Sequence, residues 1–241
     1  MKKFSNNALF YILSVLGIAV FSCLIFAAYG KITKNVFAPQ NLKIPTIIID
    51  PGHGGEDGGA VGVDGIYEKN INLSISQKLK NLLEASGYKI IMTRNEDKAT
   101  YDIDSGTLRQ KKRSDLRNRL ELIKSNTNED TIFVSIHQNK FSDSQYCGSQ
   151  IFYSKNNPLS QSLASYIKTA ITGLIQPDNT RETKPADKSI FLLHNAHIPA
   201  VIVECGFLSN NTEAHKLLDE NYQNQIAFCV FCGISNYFLN L

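Results

Sequence analysis

Residues 46–60 read TIIIDPGHGGEDGGA, a β-branched run that stops abruptly on an acidic, glycine-rich loop holding His53. Within residues 46–50, Ile47, Ile48 and Ile49 are apolar without alternation, the pattern of a strand covered on both faces. Working outward, residues 88–93, 131–137, 150–153, 190–193 and 200–204 carry similar short apolar runs and read as further strands. Between them Ile71, Ile75, Leu79, Leu82 and Leu83 recur at helical spacing ahead of a closing Gly87. Residues 115–125, 159–174 and 222–238 give further helices. The alternation predicts an α/β fold, a single domain with a mostly parallel six-stranded central sheet flanked by helices. Open sheets of this kind bind ligands beyond the carboxyl ends of their strands, where His53, His137 and Glu204 all fall. Residues 94–114 are charged, lack a period and carry Gly106, so they read as a long loop that covers a groove or holds a partner.

The first thirty residues are a separate matter. Lys2 and Lys3 precede an uncharged apolar stretch over 8–29, and polarity returns at Lys31. Its length is near the roughly 20 residues that cross a bilayer and exceeds the usual core of a cleaved signal. Residues 1–30 are therefore expected to form a membrane anchor or signal segment. An uncleaved anchor is favoured, because Phe26 and Tyr29 spoil a small-x-small cleavage site around Ala27 and Ala28. The positive flank stays inside, so the rest of the chain faces outward. Residues 31–45, polar and containing Pro39 and Pro45, read as a linker to a domain spanning 46–241.

A length of 241 residues suffices for one substantial core, and a net charge of +3 makes no demand for nucleic acid. Cys23 lies deep in the apolar stretch behind bulky Phe21, which argues against lipidation. The Cys229-x-x-Cys232 pair sits among Ile226, Val230 and Ile234, so core thiols are a better reading than a metal or redox pair.

Four residues are candidates for chemistry. His53 follows Pro51 and Gly52 and precedes two more glycines, where the backbone can turn sharply and leave the imidazole free to reach a metal. A loop histidine that merely hydrogen-bonds is the competing account. Glu68 stands at the predicted start of the first helix, where a carboxylate also serves the helix dipole. His137 ends a strand ahead of Gln138 and Asn139, a place that equally suits a satisfied core histidine. Glu204 follows Ala200, Val201, Ile202 and Val203, where an acidic side chain is costly unless paired or functional. A catalytic zinc takes three His, Glu or Cys ligands and keeps a fourth position for water. His53, Glu68 and His137 fit those ligand roles, and Glu204 is left as a base. His194, His197 and His215 lack a comparable strand-end setting and are assigned surface or structural roles, with His194, Arg181 and Lys184 the candidates for touching substrate.

Taken in order, IDPGHGGEDGGA, Glu68 in YEKNINL, the T-R-x-x-D run from Thr93 to Asp97, SIHQN and PAVIVECGFLSN resemble the zinc-dependent N-acetylmuramoyl-L-alanine amidases of bacterial cell walls, the type-3 amidases. The resemblance runs from Thr46 to the C-terminus. It implies zinc on His53, Glu68 and His137, catalysis by Glu204, and peptidoglycan as substrate, cut at the amide between N-acetylmuramic acid and the L-alanine of the stem peptide. The short form, with an N-terminal segment and no wall-binding module, together with DLRNRLELI at 115–123, resembles the spore-cortex subgroup. That likeness implies a part in forming muramic-δ-lactam and a location facing the cell wall, in a spore former between the spore membranes. Gln138 stands where the family usually has a small residue, and His194 where it often has arginine; both departures concern fine substrate contacts. A zinc carboxypeptidase trimming the stem and a catalytically silent wall-binding protein are the competing readings. The second is disfavoured by the presence of all four residues. A regulatory protein partner is not readable from the sequence.

Overall fold

The run that opens the domain forms β1 (Thr46–Pro51), buried along its whole length. In the computed structural model, which describes residues 20–22, 44–102, 104 and 106–241, β1 is followed by α1 (Glu68–Ala85), β2 (Lys89–Met92), α2 (Leu108–Ser125) and β3 (Thr131–Asn139). Then come β4 (Gln150–Tyr153), α3 (Leu159–Leu174), β5 (Lys184–Pro185), α4 (Phe191–Asn195), β6 (Ala200–Phe207), α5 (Asn211–Leu218) and α6 (Glu220–Leu239). The strands make one sheet in the order β2-β1-β3-β6-β4-β5. Its pairings are parallel except β4 with β6. The α/β class and the mostly parallel six-stranded sheet are as expected. The segment expected to anchor the chain lies outside the described residues apart from 20–22, and among the described residues no helix is long and apolar enough to cross a membrane.

Successive residues of a strand point to opposite faces, and here both faces are apolar. Ile47, Ile49, Ile132, Val134, Ile136, Val201 and Val203 pack under α1, α3 and α6. Ile48, Phe133, Ala200 and Ile202 pack on the other face under Leu120 and Ile123 of α2 and Leu192 and Leu193 of α4. Continuing the same alternation, Asp50, Ser135, His137 and Glu204 fall on the α2 and α4 side, Asp50 and His137 near the carboxyl ends of their strands and Ser135 and Glu204 midway along theirs. Cys229 is part of the first core, and burial, with a smaller push from Cys232, raises its thiol to about 11. It is an inert packing group, as read.

Two expectations are corrected. Residues 190–193 are not a strand: His194 N donates to Ile190 O at 2.9 Å and Ala196 N to Leu192 O at 2.9 Å, the bonds of the helical turn α4. Four apolar residues in a row carry no period that separates a strand from a buried helix. The sixth strand is instead the exposed edge pair Lys184–Pro185, whose charge and proline suit an edge but hide it from a hydrophobic pattern. The loop expected over 94–114 is also shorter, because α2 begins at Leu108 with Thr107 and Gln110 forming a reciprocal capping box. The remaining loop is tied to α2, with Thr100 N donating to Asp115 Oδ1 at 2.6 Å and Asn118 Nδ2 to Thr100 O at 2.6 Å.

A buried ion pair fastens α2 to the end of β1. Arg119 Nη1 reaches Asp50 Oδ1 at 2.6 Å, and both side chains are almost wholly buried. The same guanidinium donates to Pro51 O at 2.9 Å, to His53 O at 2.7 Å and to Asp115 Oδ2 at 2.7 Å. Burial alone would raise the Asp50 pKa, but Arg119 and the hydroxyls of Ser135 and Thr93 outweigh it and hold the carboxyl at about 2. Truncating Arg119 to alanine leaves that carboxylate buried without its counter-charge, so a loss of about 3–5 kcal/mol is expected in urea denaturation. Because the folded pKa lies below the ordinary value of 3.8, the stabilisation is complete above about pH 4 and is lost as pH falls toward about 2. Denaturation midpoints measured across that window should therefore fall more steeply for the wild type than for Asp50→Asn.

Candidate metal centre

Pro51 and Gly52 end β1, and Gly52 N donates to Ile136 O of β3 at 3.0 Å, which seats the start of the loop against the strand that carries His137. A Cβ on Gly52 would fall 2.2 Å from His137 Nε2, so no side chain fits there beside the imidazole. His53 itself adopts φ 63, a left-handed conformation uncommon outside glycine that turns its side chain back toward the sheet. Gly59 has φ +71, and its missing Cβ would lie 2.6 Å from both Glu68 Oε2 and His53 Cδ2. The glycines of the opening motif thus let the loop backbone come against the side chains it must position.

The structure brings His53, Glu68 and His137 together. Glu68 is the first residue of α1, preceded by Tyr67 in an extended conformation without a side-chain cap. Its carboxylate reaches both imidazoles, with His53 Nε2 at 3.2 Å from Oε2 and His137 Nδ1 at 2.9 Å from Oε1. The two rings lie edge to face with centroids 5.0 Å apart. One ligand atom from each of the three lies within 4.8 Å of the other two, a group that could hold a metal ion. Glu204 stands directly opposite His137 in the parallel β3–β6 ladder.

Supporting groups fix each member. Asp57 Oδ2 bonds His53 Nδ1 at 2.9 Å, which leaves Nε2 to face the cluster, and Lys112 Nζ pairs with Asp57 Oδ1 at 2.8 Å. Asn72 Nδ2, one turn along α1, donates to Glu68 Oε1 at 3.1 Å and to Gly52 O at 3.1 Å. Backbone N–H groups of Gln138 and Ala60 donate to the two Glu68 oxygens at 3.0 and 2.8 Å. Burial opposes ionisation of Glu68, but bonds from His137 and His53 hold its carboxyl well below the usual carboxylate range. Burial likewise lowers the His53 pKa, yet Asp57 and Glu68 lift it to about 9. The arrangement draws positive charge to its centre.

Glu204 differs from its neighbours. Its Oε2 is buried with no hydrogen-bond partner among the described residues. Burial pushes its pKa up to about 7; Glu68 adds to the rise, and the two histidines oppose it. A carboxylate poised near neutral with an open oxygen beside a ligand cluster suits proton transfer.

His194, His197 and His215 stay outside this group, exposed, and His215 bonds Asp64 and Asn211 O instead. Arg181 stacks on Phe207 at 4.7 Å and Tyr146 at 5.5 Å, while Lys184 sits on the edge strand. Sequence reasoning passed over Asp57 and Asn72. Their signal was spacing: Asp57 lies four residues after His53 in the same acidic loop, and Asn72 four after Glu68 on one helix face.

A family model described as N-acetylmuramoyl-L-alanine amidase matches residues 47–236. The germination-specific N-acetylmuramoyl-L-alanine amidase of Bacillus subtilis (strain 168) is 34% identical over 192 residues, covering 80% of this chain and 79% of that protein. Among solved structures, the CwlD amidase from Clostridioides difficile in complex with the GerS lipoprotein is 44% identical with a TM-score of 0.78, covering 82% of this chain and 100% of that one. The amidase AmiC2 of Nostoc punctiforme is 28% identical with a TM-score of 0.68, covering 81% of this chain and 97% of that one. With the family model spanning nearly all of the α/β domain and these relatives matching its length, the chain belongs to the N-acetylmuramoyl-L-alanine amidase family.

Proposed function

We propose that this chain is a zinc-dependent hydrolase of the amide joining the lactyl group of N-acetylmuramic acid to the L-alanine of the stem peptide. The observation that carries the reading is the convergence of His53, Glu68 and His137 beside the unpartnered Oε2 of Glu204. The donor set, two imidazoles and one carboxylate, fits a catalytic zinc. His53 Nε2, His137 Nδ1 and a Glu68 oxygen would hold the ion, with Asp57 fixing the tautomer and ring orientation of His53. When bound, zinc supplies Lewis-acid chemistry, polarising an amide carbonyl and making water acidic enough to react near neutral pH. Glu204 takes the proton from the attacking water at Oε2 and returns it to the leaving nitrogen of L-alanine. Its position on the β-ladder opposite His137 keeps that oxygen beside the ligand cluster.

The germination-specific relative from B. subtilis supports a role in the spore cortex, where removing the stem from muramic acid prepares muramic-δ-lactam formation. The C. difficile relative, whose structure is a complex with a lipoprotein, supports a protein partner for this domain as well. Residues 1–30 act as the anchor or signal segment and 31–45 as linker. The catalytic domain, 46–241, faces the cell wall outside the membrane. Mass spectrometry of peptidoglycan digested by the zinc-loaded chain tests the activity: intact free stem peptides with peptide-less muramic acid are expected, and shortened stems would mean a carboxypeptidase instead.

Replacing Glu204 with glutamine should leave zinc bound and cut turnover by about 10²–10⁴-fold, the usual contribution of a general base. His137→Ala should behave differently and lose metal, measured by elemental analysis, together with activity. Full zinc content in a folded His137→Ala protein would remove His137 from the ligand set.

A further inference from the structure

The T-R-x-x-D run is absorbed by neither the ligand set nor the base, yet Arg94 is almost wholly buried. Its guanidinium touches backbone on both sides of the metal cluster. Nε donates to Pro51 O at 2.9 Å and Nη2 to Gly52 O at 3.0 Å, the two residues that precede His53. The same Nη2 donates to Lys69 O at 2.9 Å, the residue after Glu68, and Nη1 donates to Glu96 O at 3.0 Å. Asp97 repeats the connection on the far side of His53. Its Oδ1 accepts from Gly55 N at 2.8 Å and its Oδ2 pairs with Lys69 Nζ at 2.7 Å, while Lys69 Nζ also donates to Gly55 O at 2.7 Å. Thr93 Oγ1 donates to Asp50 Oδ1 at 2.6 Å and ties the run itself to the end of β1.

We propose that this run is a brace that sets the separation of the His53 and Glu68 side chains, with Arg94 and Asp97 as positioning residues for the metal site; the inference rests on the zinc amidase reading above. The loop bearing His53 and the first turn of α1 belong to different elements; backbone bonds from Glu68 N to Ala60 O and Lys69 N to Gly58 O join only the far end of the loop to the helix, and around His53 itself the joining is done by side chains, Asn72 on Gly52 O and the brace residues. Arg94 joins them upstream of His53 and Asp97 downstream of it, so His53 is held on both sides in its left-handed conformation. The planar guanidinium of Arg94 reaches these carbonyls through a rigid fork of donors, whereas the compact ammonium of a lysine on its flexible stem would reach fewer of them and fix none at a set angle. Zinc affinity, rather than the fold, is where this brace acts.

The test is zinc affinity of the full-length chain, stripped of metal and titrated with Zn²⁺ against a chromogenic chelator, with the Tm of the zinc-free protein recorded in parallel. Arg94→Lys is expected to weaken the Kd by about 10–100-fold and Asp97→Ala by about 10-fold, as outer partners of metal ligands do. Lys80→Ala, which removes the Lys80–Glu84 ion pair elsewhere on α1, should leave the Kd unchanged. A merely structural role would lower the zinc-free Tm and spare the Kd of the folded protein. Wild-type affinity in both brace variants overturns the proposal, and if Arg94→Lys does not fold, Asp97→Ala, altered at a half-exposed side chain, decides alone. Should the wild-type chain itself fail to bind zinc, the amidase metal reading falls and the brace with it. Zinc bound equally by wild type and variants sinks the brace and leaves that reading standing.

Discussion

One buried carboxylate, shared between two imidazoles, organises this structure. Glu68 is almost fully buried, and a charge taken out of water is costly unless it is met by opposite charge and hydrogen bonds. Every nearby element supplies part of that compensation: the loop after β1 through His53 and Ala60 N, strand β3 through His137 and Gln138 N, and the helix itself through Asn72. Meeting those demands brings the end of β1, the start of α1 and the end of β3 to one point. That convergence lets residues far apart in the chain act as one chemical group.

The sheet's two faces divide the work. Under α1, α3 and α6 lies a large apolar core, while the face under α2 and α4 ends in Asp50, Ser135, His137 and Glu204. Polar residues can stand there because α2 brings Arg119 to Asp50 and because Ser135 donates its hydroxyl to the same carboxylate. The same guanidinium that neutralises Asp50 also accepts the job of steadying the loop, through its bonds to the carbonyls of Pro51 and His53.

How much of this could be read from the chain follows from what each residue had to satisfy. Residues 46–50, 131–137 and 200–204 announce themselves as strands because they are apolar on both faces, a requirement imposed by the double cover. Of the cluster, His53 and His137 were legible as polar groups where two of those runs stop, and Glu68 as a carboxylate at a helix start. Short edge elements were illegible: Lys184 and Pro185 pair at the rim with almost no buried surface to leave a pattern. Residues 190–193 misled because burial alone, without a period, does not choose between strand and helix. The helices α2 and α5 start earlier than, or apart from, any apolar signal, and their onsets are written in capping chemistry at Thr107 with Gln110 and at Asn210 with Glu213. Asp57 and Asn72 were missed for another reason. Each supports a neighbour rather than acting itself, and only the folded geometry shows whom it serves.

The pairing of His137 with Glu204 across β3 and β6 has a mechanical corollary. Both side chains project from adjacent central strands whose ladder hydrogen bonds leave little freedom to shift one against the other, so this half of the centre is stiff. The other half, His53 on a left-handed glycine-rich turn, is seated by Gly52 N on Ile136 O and by the guanidinium bonds of Arg94 and Arg119 to the carbonyls around it, so its placement depends on distant side chains as well as on the sheet. A change at either arginine therefore bears on His53, whereas the register of His137 against Glu204 is kept by the sheet.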